Sequence, residues 1–172
     1  MKRNNIRFLI RQIIGIVILL LSNYTYGQYI EQYPISKANA DKMLEIKNFQ
    51  EAVRQYSELL KSEPNNEEFQ FNLAVAYNNS FIDQNKALKL LSKLNSSKTI
   101  TNPREVKYQL ASAYHKNYAF DEANKMFNLL LADATGSEEK SDLEKWIKST
   151  LLAKDMVAIP IYVVLEDLVK VL

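Results

Sequence analysis

An all-α fold, a stack of about three helix-turn-helix repeats closed by a further helix, follows from three observations. The 172-residue chain holds only three glycines and four prolines, too few turn residues for an all-β fold. Pairs of alanines recur twelve or thirteen residues apart. Around them, large apolar residues fall at the three-, four- and seven-residue spacings that share one face of a helix.

Composition narrows the chemistry. There is no cysteine and one histidine, His115, so thiolate metal sites, iron–sulfur clusters, disulfide frameworks and His-rich metal centres are excluded. Gly15, Gly27 and Gly136 lie too far apart for a phosphate-binding loop or a dinucleotide fingerprint. No cofactor or metal is expected.

The first 27 residues read as a secretory signal peptide. Lys2, Arg3, Arg7 and Arg11 precede the apolar run 13–21, and Thr25-Tyr26-Gly27 offers a cleavage site before Gln28. Nine apolar residues are too few to span a bilayer core of about 30 Å as a helix. The leader carries four of the 22 basic residues and none of the 20 acidic ones. A chain starting at Gln28 would hold 18 basic against 20 acidic residues, with no basic surplus to favour nucleic acid.

Three segments of the remainder align. The first contains Ala40, Met43, Phe49, Ala52, Tyr56 and Leu59, followed by Pro64-Asn65-Asn66. The second contains Leu73, Ala74, Tyr77, Ala87, Leu91 and Leu94, and the third Leu110, Ala111, Tyr114, Phe120, Ala123, Phe127 and Leu130. The small residues stand twelve apart in the first and third units (40 to 52, 111 to 123) and thirteen apart in the second (74 to 87). A small residue on each helix lets two backbones approach closely. One helix pair cannot bury its apolar face alone, so neighbouring pairs must stack. Asn65-Asn66 is expected to end the second helix of the first unit.

The Ala-x-x-Tyr of the first helices, the Phe-x-x-Ala of the second helices and the Pro-Asn-Asn turn resemble the tetratricopeptide repeat family over about residues 33–131. The usual Trp of the first helix is missing, Ala replaces the usual Gly beside the Tyr, and the linker 95–103 is longer than the family's tight turn. The resemblance implies a tetratricopeptide-like α-solenoid whose first helices line a concave groove for an extended segment or a helix of a partner protein. By this mapping the groove residues are Lys37, Asp41 and Glu45; Phe71, Asn72, Val75, Asn78 and Asn79; and Glu105, Tyr108, Gln109, Ser112, His115 and Lys116. One variant of the family clamps a C-terminal carboxylate. Lys37 and Asn72 match that pattern, but Asp41, Glu105 and Gln109 do not, and two of these are anionic, so that ligand is rejected.

Residues 137–156 read as the capping helix, with Ser137 as N-cap, Glu138 and Glu139 in its first turn, and Leu143, Ile147, Leu151 and Met156 near helical period. The apolar tail 157–172 reads as a short strand or helix: residues 157–165 are strand-like around Pro160, while Leu165, Leu168, Val169 and Leu172 share a helical face. Leader, degenerate repeats, capping helix with Ala153-Lys154 and a post-proline apolar stretch are together similar to the N-terminal region of OmpA-family outer-membrane proteins associated with type IX secretion. That resemblance implies a periplasmic or outer-membrane location, and a tail that begins a further domain. Peptidoglycan binding carries over to no residue.

No catalytic constellation stands out. His115 has no Ser, Asp or Cys grouping beside it in sequence, and Asp121-Glu122 and Glu138-Glu139 sit at helix starts, where they meet the backbone dipole. The expectation is a non-enzymatic exported scaffold over residues 28–156, binding protein partners of the envelope, without nucleic acid or small-molecule substrate. The alternative is the N-terminal part of a peptidoglycan-anchored envelope or secretion component.

Overall fold

The structure, a computed structural model, describes residues 33–80 and 82–158. The leader, the cleavage site and the tail beyond Ala158 lie outside the described residues. The helices all belong to a compact unit that starts at Ile35.

Seven helices make up the described residues: α1 (Lys37–Glu45), α2 (Phe49–Ser62), α3 (Glu67–Ser80), α4 (Gln84–Asn95), α5 (Pro103–Lys116), α6 (Phe120–Ala132) and α7 (Ser137–Ala158). Short polar side chains start most of them. Ser36, Asn48, Asp83 and Asn102 each accept a hydrogen bond from the backbone N–H three residues on, which satisfies a donor that the helix cannot pair internally. Pro103 opens α5, where its missing N–H costs nothing. Asn66 Oδ1 accepts from Phe69 N at 3.1 Å. The helix before it, α2, ends at Ser62, so Pro64 and Asn65 lie in the turn, as the sequence pattern had it, and Asn66 also starts α3. Ser137 is the first residue of α7, and the carbonyl of Gly136 before it accepts from Lys140 N.

Each helix packs against the next along the chain, and α3 also packs against α5. The described chain is thus all-helical, and its consecutive helix-turn-helix pairs are consistent with a solenoid-like stack. The six alanines Ala40, Ala52, Ala74, Ala87, Ala111 and Ala123 are all 0% exposed. Their burial is the physical basis of the twelve-residue spacing, because a methyl group at each crossing permits close backbone approach. Ala74, Leu91, Leu110 and Ala113 form a cluster joining the second pair to the third. Ala111, Ala123, Phe127, Leu130, Ala134 and Leu143 form another that joins the third pair to α7. Large side chains buried in such clusters stabilise by roughly 1.5–3 kcal/mol each.

The first and third hairpin turns are built alike. Lys47 (φ 60°) and Tyr118 (φ 63°) are both left-handed, each one residue before the N-cap residue of the second helix. Asn48 N donates to Met43 O at 2.8 Å and Ala119 N to Tyr114 O at 2.9 Å. The longer linker after α4 is held by a distant carboxylate. Ser97 Oγ and Thr99 Oγ1 donate to the two oxygens of Glu67 at 2.5 and 2.9 Å, tying residues 97–99 to the start of α3.

The last helix runs through Ala158, so Val157 and Ala158, expected at the start of a strand-like tail, are helical. Among the described residues no helix is long and apolar enough to cross a membrane.

Candidate functional site

Polar side chains join α1, α3, α5 and α7, and most of them were read from the sequence as groove residues. Lys37 Nζ lies 2.7 Å from both Asp41 Oδ2 and Glu68 Oε1, bridging α1 to α3. These carboxylates raise the Lys37 pKa above the usual lysine range. The Tyr56 hydroxyl reaches up from α2, donating to Asp41 and accepting from Asn72 Nδ2 at 2.9 Å. Burial pushes Asp41 upward, but the hydrogen bonds from Lys37 and Tyr56 outweigh it, and its pKa is lowered. Burial and the Asp41 carboxylate raise that of Tyr56.

The next joint is between α3 and α5. Asn78 Nδ2 donates to Gln109 O and Oε1 at 3.4 and 3.3 Å. Lys116 Nζ donates to the carbonyl of Asn78 and, at 3.4 Å, to Asn79 Oδ1. Burial lowers the Lys116 pKa. Asn78 is 0% exposed and Ser112 is 5% exposed, which corrects their reading as surface residues of a groove. The reason is that α3 and α5 are flanked by packed helices on two sides, so the open strip of each is narrower than an isolated helix pair would leave.

The third joint involves residues the groove mapping omitted. Trp146 Nε1 donates to Tyr108 Oη at 2.8 Å, and the Trp146 ring stacks on Phe127 with centroids 5.3 Å apart. His115 Nδ1 lies 3.0 Å from Thr150 Oγ1. Since the Thr150 hydroxyl donates to Trp146 O at 2.7 Å, it accepts from His115. The imidazole also meets Phe120 and Trp146 edge-on. Burial, then the charge of Lys116, lowers its pKa. His115 is a structural tie between α5 and α7 in this arrangement. Arg104 completes the joint, 2.6 Å from Glu139 and 2.9 Å from Leu130 O. Trp146 is the chain's sole tryptophan, and its place nearly one turn after Leu143 was the signal that could have flagged it.

What stays open is a mixed surface. Lys37 is exposed, while Asp41, Phe71, Asn72, Val75, Tyr108 and Gln109 are half-buried. Tyr108 lines two adjoining clefts against α7, of about 390 and 350 Å³. Around it stand Glu105, Glu138, Asp142, Lys145 and Ser149. Phe71 lines a smaller apolar pocket of about 130 Å³ with Ile100 and Val106. Such a surface offers amide hydrogen bonds and aromatic anchors. Among the described residues no group of three His, Cys, Asp or Glu side chains is placed to hold a metal ion.

Comparison with protein-family models and with curated proteins finds no match to this chain.

Proposed function

We propose that the chain is a non-enzymatic, exported scaffold of tetratricopeptide-repeat type, which holds an extended segment or helix of an envelope protein along the open faces of α3, α5 and α7. The observation that carries this reading is the joint burial of six alanines at the helix crossings. That packing accounts for the stack, and it leaves polar and aromatic residues of the first helices facing outward without a reactive grouping. The export part rests on the leader pattern of residues 1–27.

A site-specific photo-crosslinker tests it. Placed at Asn72 in the chain expressed in an envelope-bearing bacterial host of its own kind, it is expected to yield one discrete protein adduct, lost on Tyr108→Ala. The same crosslinker at Leu129, exposed on α6, is expected to yield none. Equal adducts from both positions, or turnover of a small molecule by the purified chain, would overturn the reading.

A further inference from the structure

The outer side of α7 carries a row of four exposed residues, Lys148, Leu151, Leu152 and Asp155. Steps of three, four and seven positions put them on one face of the helix, turned away from the buried Leu143 and Thr150. Leu151 and Leu152 are 47% and 59% exposed. None of the four lines the clefts beside Tyr108, so the row is a separate surface. Lys145 and Lys154 are engaged by Asp142 and Asp121, whereas neither Lys148 nor Asp155 is in an ion pair among the described residues.

The earlier first helices show what this face ordinarily meets. Ala74, Ala111 and Lys148 stand 37 residues apart in turn, as do Tyr77, Tyr114 and Leu151. Ala74 is buried with Leu91 of α4, and Ala111 with Ala123 and Phe127 of α6. In both pairs the second helix covers the position. On α7 the same position is an exposed lysine, and an ammonium covered by a neighbouring helix needs a counter-charge.

The row supplies that counter-charge to a copy of itself. From its centre, between Leu151 and Leu152, it runs leucine then lysine in one direction and leucine then aspartate in the other. A two-fold axis through that centre, with a second α7 running antiparallel, sets Leu151 against the partner's Leu152. The same axis sets Lys148 against the partner's Asp155, twice over. Lys148 and Asp155 lie about 10 Å apart along the helix, so the two ion pairs flank one apolar contact. A parallel arrangement would set lysine against lysine and aspartate against aspartate, which like-charge repulsion opposes.

We propose that this face of α7 is a homodimer interface, on which a second copy of the chain lies antiparallel over Leu151 and Leu152, held in register by two Lys148–Asp155 pairs. Two turns of helix make a small contact, so the dimer is reversible. It requires nothing of the binding role proposed above.

Sedimentation velocity of the full-length chain, over a range of concentrations, tests it. The wild type is expected to shift from monomer to dimer. Lys148→Asp and Asp155→Lys each set like charges across the axis, and each alone is expected to stay monomeric. An equimolar mixture of the two variants restores both pairings and is expected to recover the dimer. Both positions are exposed, so each variant should keep the helical circular dichroism of the wild type. A wild type that stays monomeric up to its solubility limit would mean that a different protein, or a further part of the chain, covers the face. Dimers formed equally by both single variants would place the contact elsewhere, and a mixture as monomeric as its components would deny the charge pairing. Each of these results overturns the proposal.

Discussion

Lys47 and Tyr118 occupy the same left-handed position in two hairpin turns 71 residues apart, the offset that also separates Ala40 from Ala111 and Ala52 from Ala123. Two side chains of unlike chemistry share a conformation that residues with a Cβ adopt at a cost. The common element is the turn, set by the close crossing of the helices on either side.

Replacing Lys47 by glycine removes that cost. Lys47 is exposed and its backbone N–H is bonded to Leu44 O, so no side-chain packing is lost. Lys47→Gly is expected to stabilise the chain by roughly 0.5–1 kcal/mol, since φ near 60° is unstrained for glycine. Urea denaturation checks the sign. Tyr118→Gly should stabilise less, because it forfeits the edge contact with Phe120.

Overpacking tests the crossings. Ala111→Leu and Ala123→Leu should each destabilise by roughly 1–3 kcal/mol. Ser112→Leu should also destabilise, because Ser112 is buried. A thermal melt in which both alanine variants match the wild type would show that the helices do not cross at these positions.

The tie between Tyr108 and Trp146 can be weighed alone. Tyr108→Phe keeps the ring against Phe127 and removes the acceptor for Trp146 Nε1. The expected loss is about 1 kcal/mol, read by urea denaturation. A loss indistinguishable from zero would mean that water replaces the hydroxyl without penalty.

His115 gives the stability a pH dependence of known sign. Burial and Lys116 lower its pKa in the folded chain. As pH falls through the ordinary histidine range, about 6.5, the unfolded chain takes up the proton first. This contribution is complete above that range and declines as pH drops toward the folded pKa. The neighbours are Lys116 on its own helix, Phe120 on α6, and Trp146 and Thr150 on α7. None of those on α6 or α7 carries an acidic group that would offset the effect. His115→Gln should flatten the profile between pH 7 and 5.

The linker after α4 depends on Glu67. Glu67→Ala is expected to speed amide exchange at residues 97–99, whose hydroxyls it holds, with little change in the α5 and α6 core. Unchanged exchange would show that the linker is held by its own turns.

The stack was legible in the sequence because close crossings demand small residues at fixed intervals, and Ala40 to Ala123 carry that signal directly. The starts of α2, α4 and α5, at Asn48, Asp83 and Asn102, use residue types that favour the capping position but were not read from the sequence. Other features had no local signature. A left-handed lysine or tyrosine looks like any surface residue. Glu67 meets Ser97 and Thr99 thirty or more positions away, beyond the reach of periodicity. Asn78 and Ser112 were placed on an open face because a helix-pair pattern shows which side meets the partner helix and is silent on how far the next pair wraps around. Val157 and Ala158 are β-prone or short residues that the length of α7 carries along, so tertiary context outweighs their local preference.

Trp146, stacked on Phe127 and bonded to Tyr108, is the lone indole of the chain and stands in the last of the described helices. Its emission reports on that helix and its contacts alone, while far-ultraviolet circular dichroism averages over every turn. A pair of melting curves, one from each signal, would therefore show whether the molecule comes apart all at once or piece by piece.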